Sequence, residues 1–177
     1  MQILKSKTEL SKSSIGITLG LIILLVILIF FHDSSKADHI MTIAMRCMLI
    51  ILVIAGGWYC PVAVELDNDS LKIHRACSPA KTIPLDAIRS VELHRHSITD
   101  VRTRTLASGG FLGYWGWFRS PAIGRYFAYV GKWSDTFLVE LNSGRNYVIS
   151  CKDPDKMAAA INEQLKTVRD PHNAISA

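Results

Sequence analysis

GGFLGYWGWFRSPAIGRY, running from Gly109 to Tyr126, holds five glycines and six aromatic residues. A core strand of a soluble domain does not carry that much glycine, because glycine loses the most backbone freedom on folding. A disordered linker does not carry Trp115, Trp117 and Phe118, which need burial or a partner. What lies on either side has to say which structure wants both.

Upstream, Ile15 to Phe31 (IGITLGLIILLVILIFF) is a 17-residue run with no charge and a single hydroxyl. At 1.5 Å per residue it is close to the minimum for a bilayer core of about 30 Å. Lys5, Lys7 and Lys12 precede it, so a secretory signal peptide is the rival reading. The run is long for that purpose, and FFHDSSKADH offers no small-x-small cleavage site. A second apolar stretch, MRCMLIILVIAGGWYCPVAV, spans Met45 to Val64, after a polar link from His32 to His39. The pair reads as a transmembrane helical hairpin. The tail has three lysines against Glu9, whereas the link has Lys36 against Asp33 and Asp38. The positive-inside rule then puts both termini in the cytoplasm. Arg46 lies near the outer end of the second span, where its side chain reaches the headgroups by snorkelling. Trp58 and Tyr59 sit at the other end, where an interfacial aromatic belt belongs.

Beyond Val62 the pattern becomes short alternating runs broken by turn residues. VAVEL and LKIHR flank Asp67-Asn68-Asp69-Ser70 and read as a hairpin. KTIPL and AIRSVELHRH follow, with Pro84 marking an edge strand or bulge. GRYFAYV and DTFLVEL flank Gly131-Lys132-Trp133-Ser134, and Asn142-Ser143-Gly144 turns the chain into RNYVIS. That makes seven strands. One helix closes the domain, capped by Asp153 with Pro154 in its first turn. Met157, Ile161, Leu165 and Val168 recur on its apolar face, and the helix should cover a sheet or plug a barrel end.

The order of hairpin, IPLDAIRSVEL, GGFLGYWGWFRSPAIGRYFAY, TFLVEL and NYVISCKDPDKMAAAI resembles the membrane-tethered members of the bacterial pleckstrin-homology-like (PH-like) family. The resemblance covers about residues 60–168. It implies an α+β fold: a seven-stranded antiparallel barrel or sandwich capped by the C-terminal helix. It also implies a binding module, not an enzyme. The organisation expected is a basic cytoplasmic tail at 1–14, two transmembrane helices within 15–64 (about 15–31 and 45–63), a PH-like domain at 62–168 and a flexible tail at 169–177. The cell (inner) membrane is the expected location.

On that reading Gly109–Tyr126 is the long crossing connection between the first four strands and the last three. Its aromatics Tyr114, Trp115 and Trp117 either close the open end of the barrel or lie at a membrane surface, with Arg119 and Arg125 attracting anionic lipid. Between Asp86 and Trp133 seven basic residues, Arg102 and Arg104 among them, stand against three acids. This excess supplies much of the formal +5 charge and reads either as a solvated face or as a lipid contact. The first strand loop, Asp67-Asn68-Asp69-Ser70, is acidic and would repel the phosphorylated headgroups that PH domains bind there. Nucleic acid is not expected, because a tethered domain cannot leave the bilayer to search for it.

His94 and His96 share a strand face, but no third metal ligand of matching spacing stands near them. The four cysteines show no CxxC or zinc spacing, and the cytoplasm keeps thiols reduced. No catalytic residue, metal or cofactor is assigned. The expected work is therefore non-catalytic: a cytoplasmic surface for a protein partner or for self-association, or alternatively for anionic headgroups. The expected contact residues are Tyr114, Trp115, Trp117, Arg119, Arg125, Arg102 and Arg104.

Overall fold

A computed structural model describes residues 4–30, 36–93 and 103–169. Among them the order is β1 (Leu4–Lys7), α1 (Lys12–Phe30), α2 (Lys36–Tyr59), β2 (Pro61–Leu66), β3 (Ser70–Arg75), β4 (Lys81–Pro84), a 3-10 turn (Leu85–Ala87), β5 (Ile88–Leu93), β6 (Thr103–Ala107), β7 (Tyr114–Ser120), β8 (Gly124–Val130), β9 (Thr136–Leu141), β10 (Asn146–Ser150) and α3 (Pro154–Arg169). The class is α+β. One sheet has the order β1-β2-β3-β4 and the other β5-β9-β10-β8-β7-β6.

Alternation produces the small sheet. Leu71 and Ile73 are buried while Lys72 and His74, which alternate with them, are half-exposed. The Asp67 N–H donates to Ser70 O (2.9 Å) and closes the β2–β3 turn. β4, which contains Pro84, lies at the edge, where a missing N–H costs no ladder bond. The core forms where this sheet, the inner face of the large sheet and α3 meet. Val64, Leu71, Ile73, Phe137, Val139, Ile149, Met157 and Ile161 are all fully buried there. Leu165 completes the buried stripe of α3, but Val168, expected on the same face, is 47% exposed.

The seven-stranded antiparallel barrel needs correction in three places. Ten strands are present among the described residues. The three additional ones are β1, β6 and β7. Gly109–Tyr126 is not a crossing connection, since Tyr114–Ser120 is a strand and pairs with β8 from Tyr114↔Val130 to Ser120↔Gly124. Its alternation decides this: Tyr114 and Phe118 join one apolar cluster, while Trp115 and Trp117 take the opposite face. Finally, β8 and β9 are not neighbours. β10 lies between them, antiparallel to β9 and parallel to β8. The reason is the 131–135 loop, which crosses the end of β10. There the Gly131 N–H donates to Ser150 Oγ (2.7 Å) and the Cys151 N–H to Asp135 O (3.2 Å).

The two apolar helices interrupt a strand pair. β1 pairs antiparallel with β2 from Leu4↔Leu66 to Lys7↔Ala63, and α1 and α2 lie between them in sequence. The segment 4–7, inside the expected basic tail, is thus an edge strand of the domain. Glu65 fastens it, meeting Lys5 Nζ at 3.1 Å and His74 Nε2 at 3.0 Å. Hydrogen bonds from those two side chains hold the Glu65 carboxyl below its ordinary pKa. The link from β1 to α1 is stitched to the two sheets by Thr8 N–H to Val62 O (2.8 Å) and Ser11 N–H to Gly131 O (3.0 Å). Ser11 then caps α1, its Oγ accepting from Ser14 N–H (3.1 Å).

α1 and α2 pack against each other. Ile40–Tyr59 is long and apolar enough to cross a membrane by length and composition, and the apolar Lys12–Ile27 of α1 is shorter. Both helices turn large apolar side chains outward, among them Ile23 (57%), Ile51 (66%) and Ile54 (62%).

Candidate binding face and its seat on the helices

The glycine-aromatic stretch does two jobs at its two ends. Its first part, Gly109–Gly113, is a tight loop wedged against both helices. Ser14 Oγ on α1 donates to Gly110 O (2.5 Å) and accepts from Gly113 N–H (2.9 Å). Thr18 Oγ1, one turn on, accepts from Leu112 N–H (2.9 Å) and donates to Ser14 O (2.8 Å). Ser14 is fully buried and Thr18 nearly so. Phe111, 4% exposed, lies against Gly56 of α2. A Cβ on Gly56 would come within 2.8 Å of Phe111 Cδ1 and 3.1 Å of Leu112 Cδ1, so only glycine lets the ring sit there. Gly113 has φ 100° and would bring a Cβ to 3.0 Å from Val130 O, so glycine is required there too.

The second part is the β7–β8 hairpin. Cross-strand partners Trp115↔Tyr129, Trp117↔Phe127 and Arg119↔Arg125 put six side chains on one face. Trp115 stacks on Tyr59, the last residue of α2, with centroids 5.2 Å apart and planes at 17°. Its Nε1–H donates to Phe111 O (3.1 Å), which ties the strand to the wedge. Trp117 meets Phe127 edge-on at 5.2 Å, and Phe127 continues to Tyr129 at 4.8 Å. Burial pushes the Tyr129 phenol up, with Arg75 pulling the other way. The Arg125 guanidinium lies 4.5 Å above the Trp117 ring, a cation–π contact.

Arg119 and Arg125 are exposed and directly opposed at the far end of the hairpin. Like charges in facing positions destabilise a ladder, and among the described residues neither guanidinium meets a carboxylate. Arg119 lies five steps along β7 from Tyr114, about 17 Å at the extended rise of about 3.4 Å per residue.

The structure therefore divides the residues expected to act together. Trp115 and Tyr114 belong to the inner end, Tyr114 packing at 5.5 Å on Trp133. Trp117, Arg119 and Arg125 form the outer end. Arg104 stands opposite Phe118 in the β6–β7 ladder. Arg102, His94 and His96 lie outside the described residues. Sequence reasoning gave no contact role to Ser14, Thr18 or Phe111; it read Gly56-Gly57 as a close-approach point for helices and Tyr59 as an interfacial aromatic, whereas Gly56 meets Phe111 and Tyr59 meets Trp115. A signal was present: Thr18 is the lone hydroxyl of the Ile15–Phe31 run, one helical turn after Ser14.

A cavity of about 590 Å³ opens between the 3-10 turn and the end of α3, with Asp86, Arg89, Asn142 and Arg169 as its polar groups. Two of them are occupied structurally. Arg169 donates to Ile88 O (2.9 Å) and Arg89 O (2.6 Å), and Asn142 Nδ2–H to Asp86 O (2.8 Å). Asn162 Nδ2–H likewise donates to Val91 O (3.0 Å), so α3 seals the outer edge of β5. Among the described residues no group of three His, Cys, Asp or Glu could hold a metal ion.

These features define a two-sheet α+β domain closed by a C-terminal helix and carrying an inserted apolar helix pair. The chain belongs to the bacterial PH domain family, whose sequence pattern matches residues 62–165, more than half of its length. The match begins at β2, so β1 and both helices lie outside it. No curated protein and no solved structure matches the chain. Membership suggests a binding module rather than a catalyst.

Proposed function

We propose that the chain is a non-catalytic binding module anchored in the cell membrane by α1 and α2, with both termini cytoplasmic, and that it offers the outer β7–β8 face to a protein partner or to a second copy. The observation that carries this reading is the exposed Arg119–Arg125 pair beside the half-buried Trp117. Two facing cations that meet no carboxylate among the described residues are stabilised by an acidic surface, and Trp and Arg are the residue types that dominate protein interfaces. The outward apolar side chains of α1 and α2 support the anchor, since a patch of that size is not left in water. Lys5, Lys7 and Lys12 support the orientation.

The alternative is contact with anionic lipid headgroups. It draws on Trp115, stacked on the last residue of α2 and therefore close to any interface that α2 reaches. Arg119 stands four residues further along β7 than Trp115, about 14 Å at the extended rise, so the arginine pair is set apart from that contact, which favours a protein partner.

Photo-crosslinking from a probe at position 125 in the membrane-inserted chain tests the two readings. Adducts with a protein or with another copy, lost on Arg119→Glu, support the proposal. Adducts with lipid alone move the assignment to headgroups. A probe that forms no adduct at all, while one at position 58 labels lipid, refutes the face as a binding surface.

A further inference from the structure

The wedge at Gly109–Gly113 touches both helices at once and runs without a break into the strand that ends in the binding face. We infer that it is a strained coupling element, through which the packing of α1 against α2 sets the order of the β7–β8 face. The inference rests on the anchored reading above and names the regulation of that same face.

Three observations carry it. Of the two helices, α1 holds the loop's polar backbone atoms, through Ser14 and Thr18, while the apolar tip Phe111 is held against α2 at Gly56. A change in helix separation cannot preserve both sets of contacts. Leu112, between these anchors, has φ 51°, a left-handed conformation that a bulky side chain adopts only when its surroundings impose it. Lastly, the loop is locked to β7 by Ser108 N–H to Trp115 O (2.8 Å) and by Trp115 Nε1–H to Phe111 O (3.1 Å), and Trp115 rests on Tyr59. Two arrangements follow. With the helices close, the wedge is seated, Leu112 is strained and Trp115 is stacked. With the helices apart, the wedge withdraws, Leu112 relaxes, and Trp115 leaves Tyr59 and loosens the hairpin that carries Trp117, Arg119 and Arg125.

Amide hydrogen exchange of the 177-residue chain in nanodiscs of short-chain and long-chain lipid tests this, because bilayer thickness changes helix tilt and packing. In the unaltered chain, the Leu112 and Gly113 amides and those from Trp115 to Arg125 should shift together between the two lipids, by about threefold or more. Ser14→Ala with Thr18→Val removes the acceptors while keeping the shapes. It should speed exchange at Leu112 and Gly113 by about tenfold and carry into β7–β8, leaving β9 and β10 unchanged. Leu112→Gly relieves the strain and should flatten the response to lipid. Loosening confined to Leu112 and Gly113, or a β7–β8 hairpin indifferent to lipid thickness, overturns the inference. If the double variant also loses protection in β9 and β10, the comparison of the unaltered chain with Leu112→Gly decides. No binding partner enters the measurement, so a failed crosslinking experiment leaves it intact. A chain that does not enter nanodiscs refutes the anchor, and the inference with it.

Discussion

Gly56→Ala should destabilise the protein, although alanine is the better helix former. The added Cβ would stand 2.8 Å from Phe111 Cδ1 and 3.1 Å from Leu112 Cδ1, both inside contact distance. Phe111 has little room to yield. It is 4% exposed, and its carbonyl accepts from Trp115 Nε1–H (3.1 Å) and Ser108 Oγ–H (3.1 Å). Gly20 on α1 supplies the control, since nothing lies within 4 Å of a Cβ built there. Both replacements gain the same helix propensity, at most about 1 kcal/mol. Their difference isolates the overpacking cost of about 1–3 kcal/mol. For a chain of this size that is roughly 2–4 °C in Tm for each kcal/mol. The assay is thermal unfolding in nanodiscs followed by tryptophan fluorescence, with Gly20→Ala alongside. Adding Phe111→Leu to Gly56→Ala should recover part of the loss, giving a coupling energy of favourable sign. A Gly56→Ala protein as stable as Gly20→Ala would refute the seating of Phe111 between the domain and α2.

Three further outcomes are expected. The Glu65 carboxyl is held below its ordinary value of about 4.3, so its contribution is complete above that pH and is lost as pH falls through the lower folded value. The stability gap between the unaltered chain and Glu65→Gln should therefore be full near neutrality and close on acidification, as read by denaturant midpoints at a series of pH values. Asn162→Ala with Arg169→Ala strips the donors from Val91 O, Ile88 O and Arg89 O, exposing the β5 edge as a template for another strand. Light scattering should then show larger assemblies than for the unaltered chain, and an unchanged mass would show that α3 does not guard that edge. At pH 8 a thiol-reactive dye should label exposed Cys77 in the native protein. Cys151, whose thiol burial pushes up to about 11, should react only after unfolding, and fast native labelling of Cys151 would contradict its placement.

Alternation and turn chemistry were enough for the sequence to place β2 to β5 and β8 to β10, together with the C-terminal helix and the edge position of Pro84. These signals are local, because each records which neighbours along the chain face the core. The apolar runs were equally legible, as hydrophobicity over twenty residues needs no tertiary context. β1 was not legible: LKSK has no apolar alternation and becomes a strand only because α2 returns the chain beside it at β2. β7 was hidden by Gly116 within it and by Gly113 and Gly124 on either side, which lower strand propensity, while its pairing with β8 and the cross-strand aromatic contacts outweigh that deficit. The parallel pairing of β8 with β10 depends on a loop crossing the end of a strand that is not yet made when the loop is read.

The same division holds for the candidate binding face. The sequence pointed to Tyr114, Trp115, Trp117, Arg119 and Arg125 together, as a contact surface or, for the aromatics, as the closure of a barrel end. Only the three-dimensional fold separated Trp117, Arg119 and Arg125 from Trp115 and Tyr114, by strand register and the length of β7. It also joined Ser14 and Thr18 to a loop almost a hundred residues away, through hydrogen bonds such as Ser14 Oγ to Gly110 O. A hydroxyl in an apolar run announces that it needs a partner. Which backbone supplies that partner is decided by chain path, and chain path is a property of the whole fold.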